Sequence, residues 1–222
     1  MKLKYIILFV FILLMNFVIQ AQDESKTDKP KETQQKLTAK DYENLVAKLK
    51  SGDTSSDYTA LRMAFTETKN YSFQGPKKTE RENFFKSFNE KNYKESLKQA
   101  EKFLEKNYVD ANAHYVAYNS AKELKDNKKA DFHKAVLFGL LNSIKNGNDG
   151  LSAKTPFSVI TIDEEYTMMN FLGYKHSSQS LQHADGHTFD VFTATNTKTN
   201  EAVKLYFNID VVWAAETKIF GK

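Results

Sequence analysis

The chain has no cysteine among its 222 residues. That absence excludes disulfides, so stability has to come from an apolar core. It also closes the lipoprotein route, which needs a cysteine at the cut, and removes any thiol nucleophile. Nor is there a dominant charge: 32 Lys and Arg stand against 28 Asp and Glu, a formal net charge of +4. A nucleic-acid binder would need clustered base and a larger excess, so no nucleic-acid partner is expected. Glycine-rich phosphate loops, a G-x-S-x-G elbow and an H-E-x-x-H pair are all missing. A Ser–His–Asp triad assembled from distant positions stays open, because such triads are defined by geometry. The sequence therefore assigns no catalytic residue and no cofactor.

What is present begins with an export pattern. Lys2 and Lys4 precede an apolar run from Tyr5 to Ile19, broken only by Asn16, and Ala21 follows. Positive charge, apolar stretch and a small residue are the order of a secretory signal, with cleavage expected between Ala21 and Gln22. Ile19, two places before the cut, is bulky for such a site. An uncleaved anchor is the rival reading, but the run is shorter than the roughly 20 apolar residues of a spanning helix. The expectation is an exported protein, periplasmic or secreted, with residues 1–21 removed and no stable membrane anchor left. Losing Lys2 and Lys4 and no acid would lower the formal charge by two. Residues 22–37 are polar and highly charged and contain Pro30, which reads as a flexible linker. Residues 38–222 then suffice for a single domain.

The first part of that domain, residues 38–148, reads as helical. Tyr42, Leu45, Val46 and Leu49 recur at helical spacing up to Gly52 and Asp53. Asp57 is placed to cap a second helix that runs to about Lys69. Thr79, with Glu82 three residues on, suggests a capping box for a third, whose apolar side is Phe84, Phe85 and Phe88. Tyr93, Leu97, Ala100, Phe103 and Leu104 share one side of the next. Helices through Ala111–Ala121 and Phe132–Ile144 follow, the last ended by Gly147 and Gly150. The segment Asn92-Tyr93-Lys94-Glu95-Ser96-Leu97, with Ala100, Leu104 and Asn107-Tyr108-Val109-Asp110-Ala111, resembles a tetratricopeptide repeat. It is degenerate: Tyr108 stands where that repeat usually has proline, and Ser96 where it has alanine. Fewer than three such repeats cannot form a free-standing solenoid, so these helices must bury their faces on another element.

Composition changes in the second part, residues 151–222. Phe157 to Ile162 is apolar and β-branched, hence strand-like. Asp163 is placed to cap a short helix ended by Gly173. Ser180–Ala184 and His187–Thr195 flank Asp185-Gly186, a two-residue hairpin turn in which both positions tolerate positive φ. Ala202–Ile209 is a further strand, with Val203, Leu205, Phe207 and Ile209 on one face. Trp213 and Phe220 are candidates to close the core. The expected fold class is α+β: a helical, tetratricopeptide-like half packed on a C-terminal antiparallel β-meander with one short helix.

The ordered region also resembles a family of exported bacterial proteins known only as a domain of unknown function. The residues that carry this are Ser51-Gly52-Asp53 with Asp57-Tyr58-Thr59-Ala60-Leu61-Arg62, and Ile160 to Tyr166 with Asn170-Phe171-Leu172-Gly173. Asp185-Gly186-His187 and Tyr206-Phe207-Asn208-Ile209-Asp210 complete the set. The resemblance spans roughly residues 40–212 and implies a fold and an exported location, but no activity or site.

Three constellations bear on chemistry. His183, Asp185 and His187, with His176 nearby, have the residue types of a zinc site. With Asp185-Gly186 as the turn, however, Ala184 pairs with His187 and His183 with Thr188, so the two histidines are expected to face apart. Tyr58 and Arg62 share a helix side, where Arg62 has the planar fork to bind a ligand carboxylate. The plainer reading is that Arg62 pairs internally and Asp57 only caps. Asp163, Glu164 and Glu165 have the chemistry of acid–base groups, but acids in a first turn are what the helix dipole favours, and one turn gives no opposed pair. The leading expectation is a non-enzymatic module that binds a protein or peptide in a groove between helices and sheet. The alternatives are a metal-dependent or other hydrolase built on the hairpin histidines and a purely structural envelope protein. Oligomeric state is open.

Overall fold

Local side-chain chemistry sets the helix starts. The computed structural model describes residues 36–221, and the expected signal and nearly all of the expected linker lie outside them. Helix α1 (Ala39–Lys50) opens on a capping box in which Thr38 Oγ1 accepts from Asp41 N at 3.3 Å and Asp41 accepts from Thr38 N at 2.9 Å. Asp57 caps α2 (Tyr58–Phe65) through Ala60 N at 2.9 Å, as the sequence suggested. That helix stops at Phe65, because the Thr66 and Thr68 hydroxyls donate back to the Met63 and Phe65 carbonyls and close a turn. Helix α3 (Lys78–Asn89) starts one residue before Thr79, and Glu80, not Glu82, reaches back to the Lys77 amide at 2.7 Å. Asn92, Asp110 and Asp126 cap α4 (Tyr93–Leu104), α5 (Ala111–Glu123) and α6 (Asn127–Lys145).

These helices pack mainly on their sequence neighbours: α1 on α2, α3 on α4, α4 on α5 and α5 on α6, while α2 also reaches α6. Leu97, Ala100 and Leu104 face inward against Ala113, Val116 and Ala117 of α5 and Val136 and Leu140 of α6.

The second half is a four-stranded sheet in the order β1-β4-β3-β2, with β1 Phe157–Ser158, β2 Tyr174–Ala184, β3 His187–Asn196 and β4 Ala202–Asn208. The antiparallel β2–β3–β4 meander is as expected, but β1 pairs parallel with β4, Phe157 opposite Phe207, so the sheet is mixed. The expected strand at 157–162 is cut to two residues. Glu164 takes the Ile160 amide at 2.8 Å and turns the chain into α7 (Ile162–Leu172), whose cap is Thr161 rather than Asp163. A second helix, α8 (Asp210–Phe220), follows β4. Trp213 and Phe220 lie on it 38% and 62% exposed, so neither closes the core. That work falls to Val212 with Met168 and Met169 of α7, Phe157, Phe192, Leu205 and Phe207 of the sheet, and Leu137, Leu141 and Ile144 of α6. Helix α6 thus feeds both cores, which gives the helical half a second surface to pack on.

Candidate functional site

The seam between the halves concentrates charge. Arg62 is buried on α2 and points its fork at Glu164, with Nε to Oε1 at 2.9 Å and Nη2 to Oε2 at 2.5 Å. Its remaining donors go to Ser143 Oγ at 3.2 Å and the Ser158 carbonyl at 2.9 Å. Every guanidinium nitrogen is therefore spent inside the protein, and the expected ligand fork is a structural one. Tyr58 is half-buried: its hydroxyl donates to the Thr54 carbonyl at 3.0 Å, and its ring lies where a Cβ on Gly139 would otherwise be. Both candidate ligand contacts thus serve packing.

Next to Glu164 in sequence, Asp163 is gripped by Arg81 of α3 at 2.7 Å through both terminal nitrogens, and Arg81 also binds Asp110, the cap of α5. Burial opposes the charge on Arg81, but Asp110 and Asp163 outweigh it and push its pKa up. Arg81 and Asp163 line a cleft of about 200 Å3 with Lys77, Lys106 and Asn107. The cleft is too small for a drug-sized ligand, for which pockets run from roughly 300 Å3 upward, and the carboxylates that line it, Asp110, Asp163 and Glu164, are already engaged by Arg81 and Arg62.

Two further polar groups are buried, which the sequence did not indicate. Glu165 of α7 is fully buried, and neither of its carboxylate oxygens has a hydrogen-bond partner. Burial, then the neighbouring negative Asp190, pushes its pKa up to about 9. On the helical side, His114 and His133 meet Nδ1 to Nδ1 at 3.0 Å, while His114 Nε2 lies 3.0 Å from the Tyr108 carbonyl. A carbonyl only accepts, so His114 carries its proton on Nε2 and accepts at Nδ1 from His133. Burial, then His133, lowers the His114 pKa to about 3, which keeps it neutral. His133 reaches the surface beside Glu101, its Nε2 3.7 Å from Oε1, whereas His114 and Glu165 are enclosed, and all three are read as part of the packing.

At the hairpin the register is Ala184 opposite His187 and His183 opposite Thr188, with φ of 51° at Asp185 and 80° at Gly186, the two positive values of a type I′ turn. His183 lies 3.2 Å from Thr188 Oγ1 and packs on Trp213, whereas His187 lies 2.6 Å from Asp210 Oδ2 on α8. His176 sits elsewhere, against Tyr166 and Phe192. Among the described residues no group of three or more His, Cys, Asp or Glu is placed to hold a metal ion.

The surface that remains is β2. It is the terminal strand of the sheet, and all its residues but Tyr174 are exposed. A terminal strand presents an outward row of backbone N–H and C=O groups, a template for another strand. A bulge between His176 and Ser178 distorts its first part, but Ser178–Ala184 runs without interruption. Within that stretch Leu181 is 46% exposed, Trp213 packs on His183, and beyond the bulge Tyr166 packs on His176. The sequence showed only the last five residues of this strand, because Tyr174–Gln179 alternates weakly.

Comparison with known proteins gives one match. No curated protein and no solved structure matches the chain. A family model described as a domain of unknown function, DUF4919, matches residues 27–218, wider at both ends than the region picked out by the sequence motifs. With nearly the whole described fold inside that match, the chain belongs to the DUF4919 family of uncharacterised domains.

Proposed function

We propose that this protein is an exported, non-enzymatic interaction module that binds another polypeptide as an added strand along the open edge of β2. The observation that carries the reading is the position of β2: terminal in the sheet, exposed from Lys175 to Ala184, with Leu181 on it and Trp213 against His183. Strand addition draws affinity from main-chain hydrogen bonds and selectivity from alternate side chains. The groups with catalytic chemistry lend support by being engaged elsewhere: Arg62 with Glu164, Arg81 with Asp110 and Asp163, and His187 with Asp210. The hydrolase alternative loses its geometric basis, since His183 and His187 sit at neighbouring rungs and face apart.

Export rests on Lys2, Lys4, the apolar run and Ala21. Among the described residues no helix is long and apolar enough to cross a membrane. The α4–α5 pair is read as a degenerate tetratricopeptide-like repeat that serves as scaffold, and the family as one of exported bacterial proteins.

Two measurements test this. Intact mass of the protein from its native cell should start at Gln22, and a mass that retains residues 1–21 would refute cleavage. A photocrosslinking residue in place of Gln182 on β2 should capture a polypeptide in that cell, while one in place of Lys128 on α6 should not. Capture at neither position, or equally at both, would remove β2 as the binding surface.

A further inference from the structure

Resting on the reading of β2 as a binding edge, we infer that its occupant is a second copy of this chain, paired antiparallel through Ser178–Ala184 about a two-fold axis at Leu181. A two-fold contact places each residue of one patch against its symmetry mate, so the patch has to be complementary to itself. In this register Gln179 faces the partner copy's His183, Ser180 faces Gln182, and Ser178 faces Ala184.

Charge is the first argument. The whole stretch Ser178–Ala184 holds no Lys, Arg, Asp or Glu. No like charges meet across the axis, where they would oppose pairing. Lys175, the one such residue on β2, lies beyond the bulge and outside the paired stretch.

The second argument is what protects the edge and where. Sheet edges are kept from pairing by lysine, proline, bulges or a covering element. On β2 the lysine and the bulge both fall at its N-terminal end, and Ser178–Ala184 carries neither. The protected part is thus the part a self-paired partner would not use.

The third is the placement of apolar surface. Leu181 and His183 point to the same side of the sheet as Thr188, Asp190 and Phe192, as their pairing and the His183–Thr188 contact establish. Leu181 is the only large aliphatic side chain on the strand and sits on the proposed axis, so each copy buries its Leu181 against the other. Trp213 stands against His183, on the side of the strand where the partner copy's Gln179 arrives.

The test uses the full chain in solution. Sedimentation or light scattering should give about twice the mass of one chain, falling to one on dilution. Trp213 is the only tryptophan, so its emission should shift over the same concentrations. Leu181→Lys and Leu181→Glu should each weaken self-association by at least about tenfold, because like charges then meet at the axis. Mixing the two variants should restore it, since Lys then faces Glu. Leu181 is exposed, and unchanged circular dichroism in both variants checks that the fold is kept. A parent that remains one chain at the highest attainable concentration overturns the inference, as does a dimer indifferent to both substitutions. Crosslinking from position 182 separates the two levels. An adduct of two copies supports self-pairing, an adduct with a different protein overturns it while leaving β2 a binding edge, and no adduct removes both.

Discussion

Glu165→Gln should stabilise this protein, and by an amount that grows with pH. The Glu165 carboxyl is fully buried without a hydrogen-bond partner and lies near Asp190, which lifts its pKa from an ordinary 4.5 to about 9. The folded-state value is raised, so the folded protein holds a proton that the unfolded chain releases. The stability this proton supplies is complete below about pH 4.5 and is lost as pH rises toward 9. Each unit between those limits costs about 1.4 kcal/mol. From pH 4.5 to pH 7 the loss is about 3 kcal/mol, a large share of a typical 5–15 kcal/mol total. Glutamine keeps the shape and the neutral charge and has no proton to lose. Urea melts of both proteins at pH 4, 5.5, 7 and 8.5 give the readout as a difference, which cancels the titration of the carboxylates that do not interact with Glu165 and leaves that of its neighbour Asp190. The expected gap is near zero at pH 4 and about 3 kcal/mol in favour of Glu165→Gln at pH 7. A gap that does not change with pH, or a less stable glutamine variant at pH 7, would refute the assignment of that proton.

Other outcomes follow from the same structure. Arg62→Leu leaves Glu164 buried without its partner and should cost about 3–5 kcal/mol in denaturant melts; a loss under 1 kcal/mol would mean that water reaches the pair. Leu97→Ala and Leu104→Ala should each cost about 2–5 kcal/mol, whereas Lys94→Ala and Lys98→Ala should change little, and equal losses at all four would put the helix face wrong. Gly186→Val forces a β-branched residue into positive φ and should cost about 1 kcal/mol or more. Zinc and chelator should leave the melting temperature of the parent unchanged, and a chelator-sensitive parent would restore the metal reading.

The helical half was legible because its faces repeat: Leu97, Ala100 and Leu104 are inward as their spacing implied, and Asp57 caps where it stood before an apolar run. The hairpin was legible because Asp185-Gly186 dictates both turn type and register. What escaped was set by distant partners. Nothing near Arg81 in sequence announces Asp163, and nothing near Ile160 shows that the Glu164 side chain will take its amide and end a strand after two residues. Helix α8 escaped because its Trp213 and Phe220 suggested core, while only Val212 is buried. The open edge of β2 was invisible for the same reason: strand order comes from β1 joining β4, a pairing made by residues fifty positions apart.

The two arginine clasps also set a schedule for the growing chain. Arg62 and Arg81 precede Glu164 and Asp163 by 102 and 82 positions. Until Glu164 exists, α2 holds Arg62 over apolar surface with nothing to neutralise it, while Arg81 has only Asp110, and contacts across such distances form late because loop closure must come first. Helices α1–α6 made alone would therefore lack the counter-ion of Arg62, the second carboxylate of Arg81 and the second face of α6. The chain commits to its fold only after about residue 165 is available, and the helical half is no module that can be cut out and expected to stand.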